Sequence, residues 1–293
     1  MRKLLGPIIY LLGMLVVLAA SIQFVRYGWL AGVFAIAYLL SVAVAVGISI
    51  LWPGDRFRET SRDLGEALVI CGVGLITTHL FFGPWSTQLS GLITEKFLGQ
   101  DFRATMRNLP LWLALPLALF IFEGVGYLLH RLSHFSGPLW DRVHSVHHEP
   151  RAFGVALAMR FPYAEYFVYQ MTRVVILQLT QIDSSVVVAA MVLSLYGSIF
   201  CHANTSLPFG FLNRFFNTPE VHLWHHDVDL RVNYSFGILV IFDKIAGTYY
   251  SPGFGPSQLG IDGVDERRSG LETMLLRPLR LVHHSERNQR LLP

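Results

Sequence analysis

The chain has 293 residues, 53% hydrophobic and 15% charged, with a net charge of +3 and a mean hydropathy of +0.45. A soluble domain carries about 25% charged residues, so the composition predicts a polytopic membrane protein, and a charge this small and thinly spread excludes a nucleic-acid surface. Two cysteines, Cys71 and Cys201, both in apolar surroundings, exclude a disulfide framework and a cysteine-based metal site.

In chain order, apolar runs near 5–25, 29–52, 66–84 and 109–130 each approach the roughly 20 residues that cross about 30 Å of hydrocarbon. The first run is too long for a signal-peptide core and another follows almost at once, so it reads as a retained span. Only Arg26, Tyr27 and Gly28 separate the two, which predicts a tight hairpin. Arg56, Arg58 and Arg62 after the second run, with Arg2 and Lys3, favour the cytoplasmic side. Counting onward places 85–108 on the far side and returns the chain to the cytoplasm at His130.

Residues 161–200 are broken by Arg173 and by a polar stretch at 181–185. They are expected to form two short helices that enter and leave on one side, or that lie along the surface. The stretch FPYAEYFVYQ, with Tyr163, Tyr166 and Tyr169, is read as a headgroup anchor, with a tunnel roof as the alternative. Further on, FGILVIF at 236–242 is too short to span, and from Ser251 a polar tail carries Arg267, Arg268, Arg280, Arg287 and Arg290. The expected fold is therefore all-α: a polytopic membrane protein with about four full transmembrane helices, a further helical hairpin and a cytoplasmic histidine-rich helical cap. Its parts are N-terminal transmembrane helices over 1–108, a histidine-rich region over 109–250 and a polar cytoplasmic tail over 251–293.

Eight of the twelve histidines fall in three short groups: His130 and His134; His144, His147 and His148; His222, His225 and His226. A ninth, His202, opens HANT after an apolar run. Four residues on a helix advance about 6 Å and return to the same face, so His130 and His134 can share one metal or address two neighbours. HSVHH and HLWHH repeat a rarer pattern. Adjacent helical residues diverge by about 100°, so one member of each doublet can reach one metal while its neighbour reaches a second. Eight or nine imidazoles exceed even octahedral coordination, and two metals are the natural count. Imidazole alone does not choose among iron, zinc, copper and nickel. A redox di-metal site at a membrane surface suits O2 activation against an unreactive C–H bond; a zinc hydrolase would show a carboxylate base, and HEXXH is absent.

Glu123 and Tyr127 stand seven and three residues before His130. Glu123 is costly inside a membrane without a partner; it is expected to orient a histidine, to anchor Arg131, or to form a salt bridge that fixes helix packing. Asn204, Glu220, Asp227, Asn233 and Asp243 are further candidates for groups around the ligands. His79, His283 and His284 stay outside the expected ligand set.

These residues carry a resemblance. Glu123, Tyr127, HRLSH at 130–134, LWDRVHSVHH at 139–148, HANT at 202–205, TPEVHLWHH at 218–226 and NYSFGILVIFDKIAGTYY at 233–250 together resemble the fatty acid hydroxylase or sterol desaturase superfamily of histidine-rich di-iron membrane oxygenases. The resemblance implies a cytoplasmic cap holding two iron ions on the eight clustered histidines and His202, with zinc a possible substitute in purified protein. It further implies O2 as oxidant and electrons from NAD(P)H through a reductase and a separate cytochrome b5-like or ferredoxin-like donor. The implied activity is hydroxylation of a membrane lipid such as a sterol or fatty acyl chain, with desaturation the alternative. A metal transporter or an inactive scaffold is the non-enzyme reading. Phe161, in RFPYAE, departs from the RxHPxE-like segment of many members, so the site has one ligand fewer or another residue fills the role. The sequence also has no fused heme-binding domain.

Overall fold

The computed structural model describes residues 2–26, 30–54, 65–69, 72–73, 83–263 and 276. Apart from isolated β-bridges, regular structure there is helical. Helices α1 (Arg2–Arg26) and α2 (Leu30–Leu51) are the two apolar runs of the expected hairpin. The expected span at 66–84 lies largely outside the described residues, as do His79, His283 and His284. Two helices that hydropathy did not single out follow, α3 (Gly83–Phe97) and α4 (Gln100–Arg107). Helix α5 (Leu111–Phe135) is the third that is long and apolar enough to cross a membrane. It continues five residues past the expected end of its span, so HRLSH is the last turn and a half of that same helix rather than a separate segment.

After α5 a short turn at Gly137–Leu139 and a π-helical turn at Trp140–His144 lead into α6 (Ser145–His148). The predicted pair of short helices is present as α7 (Tyr163–Leu179) and α8 (Ser184–Phe200). Between them Gln181 takes φ 60°, the left-handed turn that ends helices, and Asp183 caps α8 by accepting from the Ser185 amide at 2.9 Å. Two short helices complete the set, α9 (Pro219–His225) and α10 (Ile241–Ile245).

Helix α8 is the central post. On one side Tyr196, Ile199 and Phe200 pack with Tyr10 and Val17 of α1 and Ala37, Ala45 and Ile48 of α2. The Tyr196 hydroxyl donates to the Tyr10 carbonyl at 3.0 Å. On the other side Val186, Val187 and Ala190 pack with Ala114, Ala118 and Phe122 of α5 and Leu177 of α7. Gly197 of α8 lets the 236–240 segment lie against the helix, since a Cβ there would meet Ile238 Cγ2 at 2.6 Å. The start of the expected tail does not leave the body: Leu259 is buried with Phe153 and Leu157, and the Gly260 amide donates to the His226 carbonyl at 3.2 Å.

Candidate metal centre

Four pieces of chain bring the nine histidines to one place: the end of α5, the turn from Trp140 into α6, His202 just past the end of α8, and α9 with His226 at its C-terminal end. Their nitrogens sort into two groups, each with ligand atoms within 4.8 Å of one another: His130, His134, His144, His148 and His225 in one, and His147, His202, His222 and His226 in the other. The doublets divide as the helical angle predicts. His148 and His225 face the first group while their neighbours His147 and His226 face the second. The two HxxHH runs point at each other, with ring centroids 4.6 Å apart for His148 and His225 and 4.6 Å for His147 and His226.

Within the first group His130 Nε2 lies 2.9 Å from His144 Nε2, which is 3.2 Å from His148 Nε2. Within the second, His222 Nε2 lies 3.0 Å from His202 Nε2. These separations match the edge of a coordination polyhedron with metal–nitrogen bonds of about 2.1 Å. His134 Nε2, His147 Nδ1, His148 Nδ1, His225 Nε2 and both nitrogens of His226 are buried without a hydrogen-bond partner among the described residues. Each such group costs about 1–3 kcal/mol if left unmet, and a cation meets a lone pair of a neutral imidazole, one nitrogen per ring. The residues present therefore fit two first-row metal ions.

Several rings are held from behind. His130 Nδ1 donates to the Phe236 carbonyl at 2.6 Å, His225 Nδ1 to the Tyr234 carbonyl at 2.8 Å and His202 Nδ1 to the Ser198 carbonyl at 2.8 Å. His144 Nδ1 meets Glu165 Oε1 at 2.6 Å. These contacts leave Nε2 of each ring directed inward. Burial pushes His144 down to about 3 and His202 down to about 4, and holds His147, His148, His222, His225 and His226 well below the usual histidine range. Burial also pushes Glu165 up to about 8, so without a cation the His144–Glu165 pair shares a hydrogen rather than a charge. The preference reverses where a cation takes His144 Nε2, because the carboxylate then faces net positive charge.

Phe161 is stacked flat on His147, with centroids 4.2 Å apart and planes at 16°. It covers the ring without displacing it, and the second group has four histidines against five in the first. Phe153 stacks on His202 at 5.8 Å, and Trp140 lies 5.1 Å from His134, closing other sides.

The surrounding candidates separate. Of the three expectations for Glu123, the salt bridge is what forms: Oε1 accepts from Arg173 Nη2 at 2.8 Å and from Ser194 Oγ at 2.5 Å, and Oε2 accepts from the Ile238 amide at 3.0 Å. Among the described residues Glu123 neither accepts from a histidine nor anchors Arg131, which donates instead to the Tyr127 hydroxyl at 2.8 Å. Asp243 is fully buried and accepts from the Ser235 amide at 3.0 Å. Asn233 is buried with neither end of its amide hydrogen-bonded among the described residues. Asp227 accepts from the Asp229 amide at 2.6 Å. Glu220 serves its own loop, accepting from the Phe209 amide at 2.9 Å and Asn213 Nδ2 at 2.7 Å. The Asn204 carbonyl accepts from the Gly54 amide at 3.1 Å and ties that segment to the end of α2. Tyr169 faces inward, its hydroxyl 2.9 Å from Ser133 Oγ, which removes it from the anchor reading; the side chains of Tyr163 and Tyr166 lie outside the described residues. Sequence reasoning did not single out Glu165 or Asn217, whose Nδ2 lies 3.0 Å from His222 Nδ1. The available signal for Glu165 was an acidic residue in the first turn of a helix just after the second histidine cluster.

Residues 115–248 match the fatty acid hydroxylase family. The chain is 26% identical over 227 residues to the ornithine lipid hydroxylase OlsE of Rhizobium tropici, a match covering 75% of this chain and 67% of that protein. No solved structure matches the chain.

Proposed function

We propose that this chain, whose residues 115–248 match the fatty acid hydroxylase family, is a member of it and an O2-dependent di-iron hydroxylase attacking C–H bonds of a membrane lipid. The observation that carries this reading is the convergence of nine histidines into facing groups of five and four. Bound there, two iron ions would activate O2 against an unreactive C–H bond, drawing electrons from NAD(P)H through a reductase and a separate cytochrome b5-like or ferredoxin-like donor.

The ligand assignment follows the two groups. His130, His134, His144, His148 and His225 take one ion; His147, His202, His222 and His226 take the other. The Phe236, Tyr234 and Ser198 carbonyls and the Glu165 carboxyl fix His130, His225, His202 and His144 so that Nε2 faces inward. Trp140 and Phe153, both buried against the histidines, keep bulk water away.

A lipid reaches this centre from the side. Leu128 and Leu132 are exposed on the face of α5 opposite His130 and His134, so the outer side of that helix is apolar and suited to surrounding hydrocarbon. Arg2 and Lys3, together with the arginines after α2, orient the centre to the cytoplasm, with 109–250 as the catalytic region. The relative named for an ornithine lipid makes ornithine lipids the first class to assay, ahead of sterols and free fatty acyl chains.

The test is mass spectrometry of total lipids from cells with and without the protein, grown under 18O2, alongside elemental analysis of the purified chain. One lipid class carrying 18O, and two iron atoms per chain, are expected. A class that loses two hydrogens without label would make the enzyme a desaturase, and unchanged lipids with metal-free protein would overturn the reading. Zinc acquired during overproduction would occupy the same ligands without being the working metal.

A further inference from the structure

We infer that Ser235 is a positioning residue for the metal centre: its left-handed backbone, pinned by Asp243, aims two flanking carbonyls at two histidines and so fixes which ring nitrogen carries the proton. This rests on the di-metal reading above.

An imidazole that ligates through Nε2 must carry its hydrogen on Nδ1, and in a buried site that hydrogen needs an acceptor. For His225 the acceptor is the Tyr234 carbonyl at 2.8 Å; for His130 it is the Phe236 carbonyl at 2.6 Å. These two rings come from different helices, α9 and α5, yet their acceptors flank a single residue. The carbonyl between them, that of Ser235, accepts from Asn217 Nδ2 at 2.9 Å, and the same amide lies 3.0 Å from His222 Nδ1. Two carbonyls thus serve rings of the first group that come from different helices, while the carbonyl between them holds the Asn217 side chain beside His222.

The bend that aims them is costly for the residue that makes it. Ser235 has φ 74°, a region that glycine enters freely and side-chain-bearing residues avoid. Such a conformation persists only where the surroundings over-determine it. Here they do. The Ser235 amide donates to Asp243 Oδ1 at 3.0 Å, and that oxygen also accepts from Thr248 Oγ1 at 2.9 Å. Three residues on, the Ile238 amide donates to Glu123 Oε2 at 3.0 Å while its carbonyl accepts from the Asn217 amide at 2.7 Å. The segment is held at both ends by buried carboxyls, and the histidines are held by the segment.

The experiment uses the full-length chain in detergent, loaded with Zn2+ as a diamagnetic probe. Zinc retention is measured against a chelator, and the imidazole nitrogens are read by 15N NMR after histidine labelling. Ser235→Val and Asp243→Ala are expected to weaken zinc retention about 10- to 100-fold and to shift the His130 and His225 nitrogens away from the Nδ1–H form. Ser235→Gly, which takes the same bend without strain, is expected to rescue both readouts to within about twofold of the starting protein. If Asp243→Ala does not fold, the Ser235→Val and Ser235→Gly pair still decides. Folded Ser235→Val with unchanged retention and unchanged nitrogen signals would overturn the inference, as would a Ser235→Gly variant as weak as Ser235→Val. A starting protein that binds fewer than two zinc ions would instead overturn the di-metal reading itself.

Discussion

At the scale of single residues, the chemistry of the centre depends on what stands behind each imidazole. The Glu165 carboxyl meets a histidine nitrogen of the centre, His144 Nδ1, at 2.6 Å. Glu165→Gln keeps a polar group at that distance but cannot carry charge opposite a ligated ring, so metal affinity is expected to fall about 10-fold; Glu165→Ala leaves the Nδ1 hydrogen unmet, and about 100-fold is expected. Chelator competition on the iron-loaded protein measures both, and equal affinity in the two variants would remove Glu165 from the centre. His225→Ala and His147→Ala delete a ligand from different groups. Each is expected to lower iron from two atoms per chain toward one and to abolish turnover, as read by elemental analysis and the lipid assay. The doublets were legible because adjacent helical positions diverge by a fixed angle, and that angle sends His147 and His148, or His225 and His226, to different groups. Glu165 was not legible, because nothing in a linear sequence places the start of α7 behind the turn from Trp140 into α6.

At the scale of elements, α5, α7 and α8 are joined by one buried polar junction rather than by apolar packing alone. Arg173 of α7 donates to Glu123 of α5 at 2.8 Å and to Ser194 of α8 at 2.9 Å, and its guanidinium lies 3.7 Å from the centre of the Phe122 ring. Both charged side chains are largely shielded, with 12% and 3% of their surface exposed. Glu123→Ala therefore strands a buried guanidinium and a buried Ile238 amide, and should cost about 3–5 kcal/mol. Thermal unfolding in detergent checks this. The double variant with Arg173→Ala should recover part of the loss, because no unpaired charge remains; additive losses would show that the two groups do not interact. The break between α7 and α8 was readable from its polar residues, and so was the cost of an acid in an apolar helix. The partner of that acid was not, since Arg173 lies fifty residues away and only the packing of α5 and α7 on α8 brings it near. Helices α3 and α4 escaped for a different reason: Thr87, Gln88, Thr94, Glu95 and Lys96 dilute the apolar signal on which span finding depends.

At the scale of the whole molecule, the burial of so many neutral imidazoles makes folding without metal a pH-dependent process. Seven of the histidines lie beyond the candidate spans and have depressed affinity for protons in the folded state: His144, His147, His148, His202, His222, His225 and His226. Above about pH 6.5 these are neutral in both folded and unfolded chains and add no pH dependence. Below it, the unfolded chain takes up protons that the folded chain refuses, and stability falls until the folded values are reached, about 3 for His144 and about 4 for His202. Each group contributes a slope of up to about 1.4 kcal/mol per pH unit. Glu165 acts in the opposite sense: its folded value is raised to about 8, so its contribution is complete below about pH 4.5 and is lost as pH rises through 8. One such group does not offset seven. A total stability of about 5–15 kcal/mol would be consumed within about two pH units below 6.5, so metal-stripped protein is expected to lose its thermal transition between about pH 6.5 and pH 4.5. Iron- or zinc-loaded protein is expected to hold its transition further into acid, because ligation occupies the lone pairs that protons would take. Melting curves of stripped and loaded protein across that range test the argument. A stripped protein whose melting temperature stays flat from pH 7 to pH 5 would mean that water reaches the histidines, and with it the dry, preassembled centre on which a C–H oxidation depends would be lost.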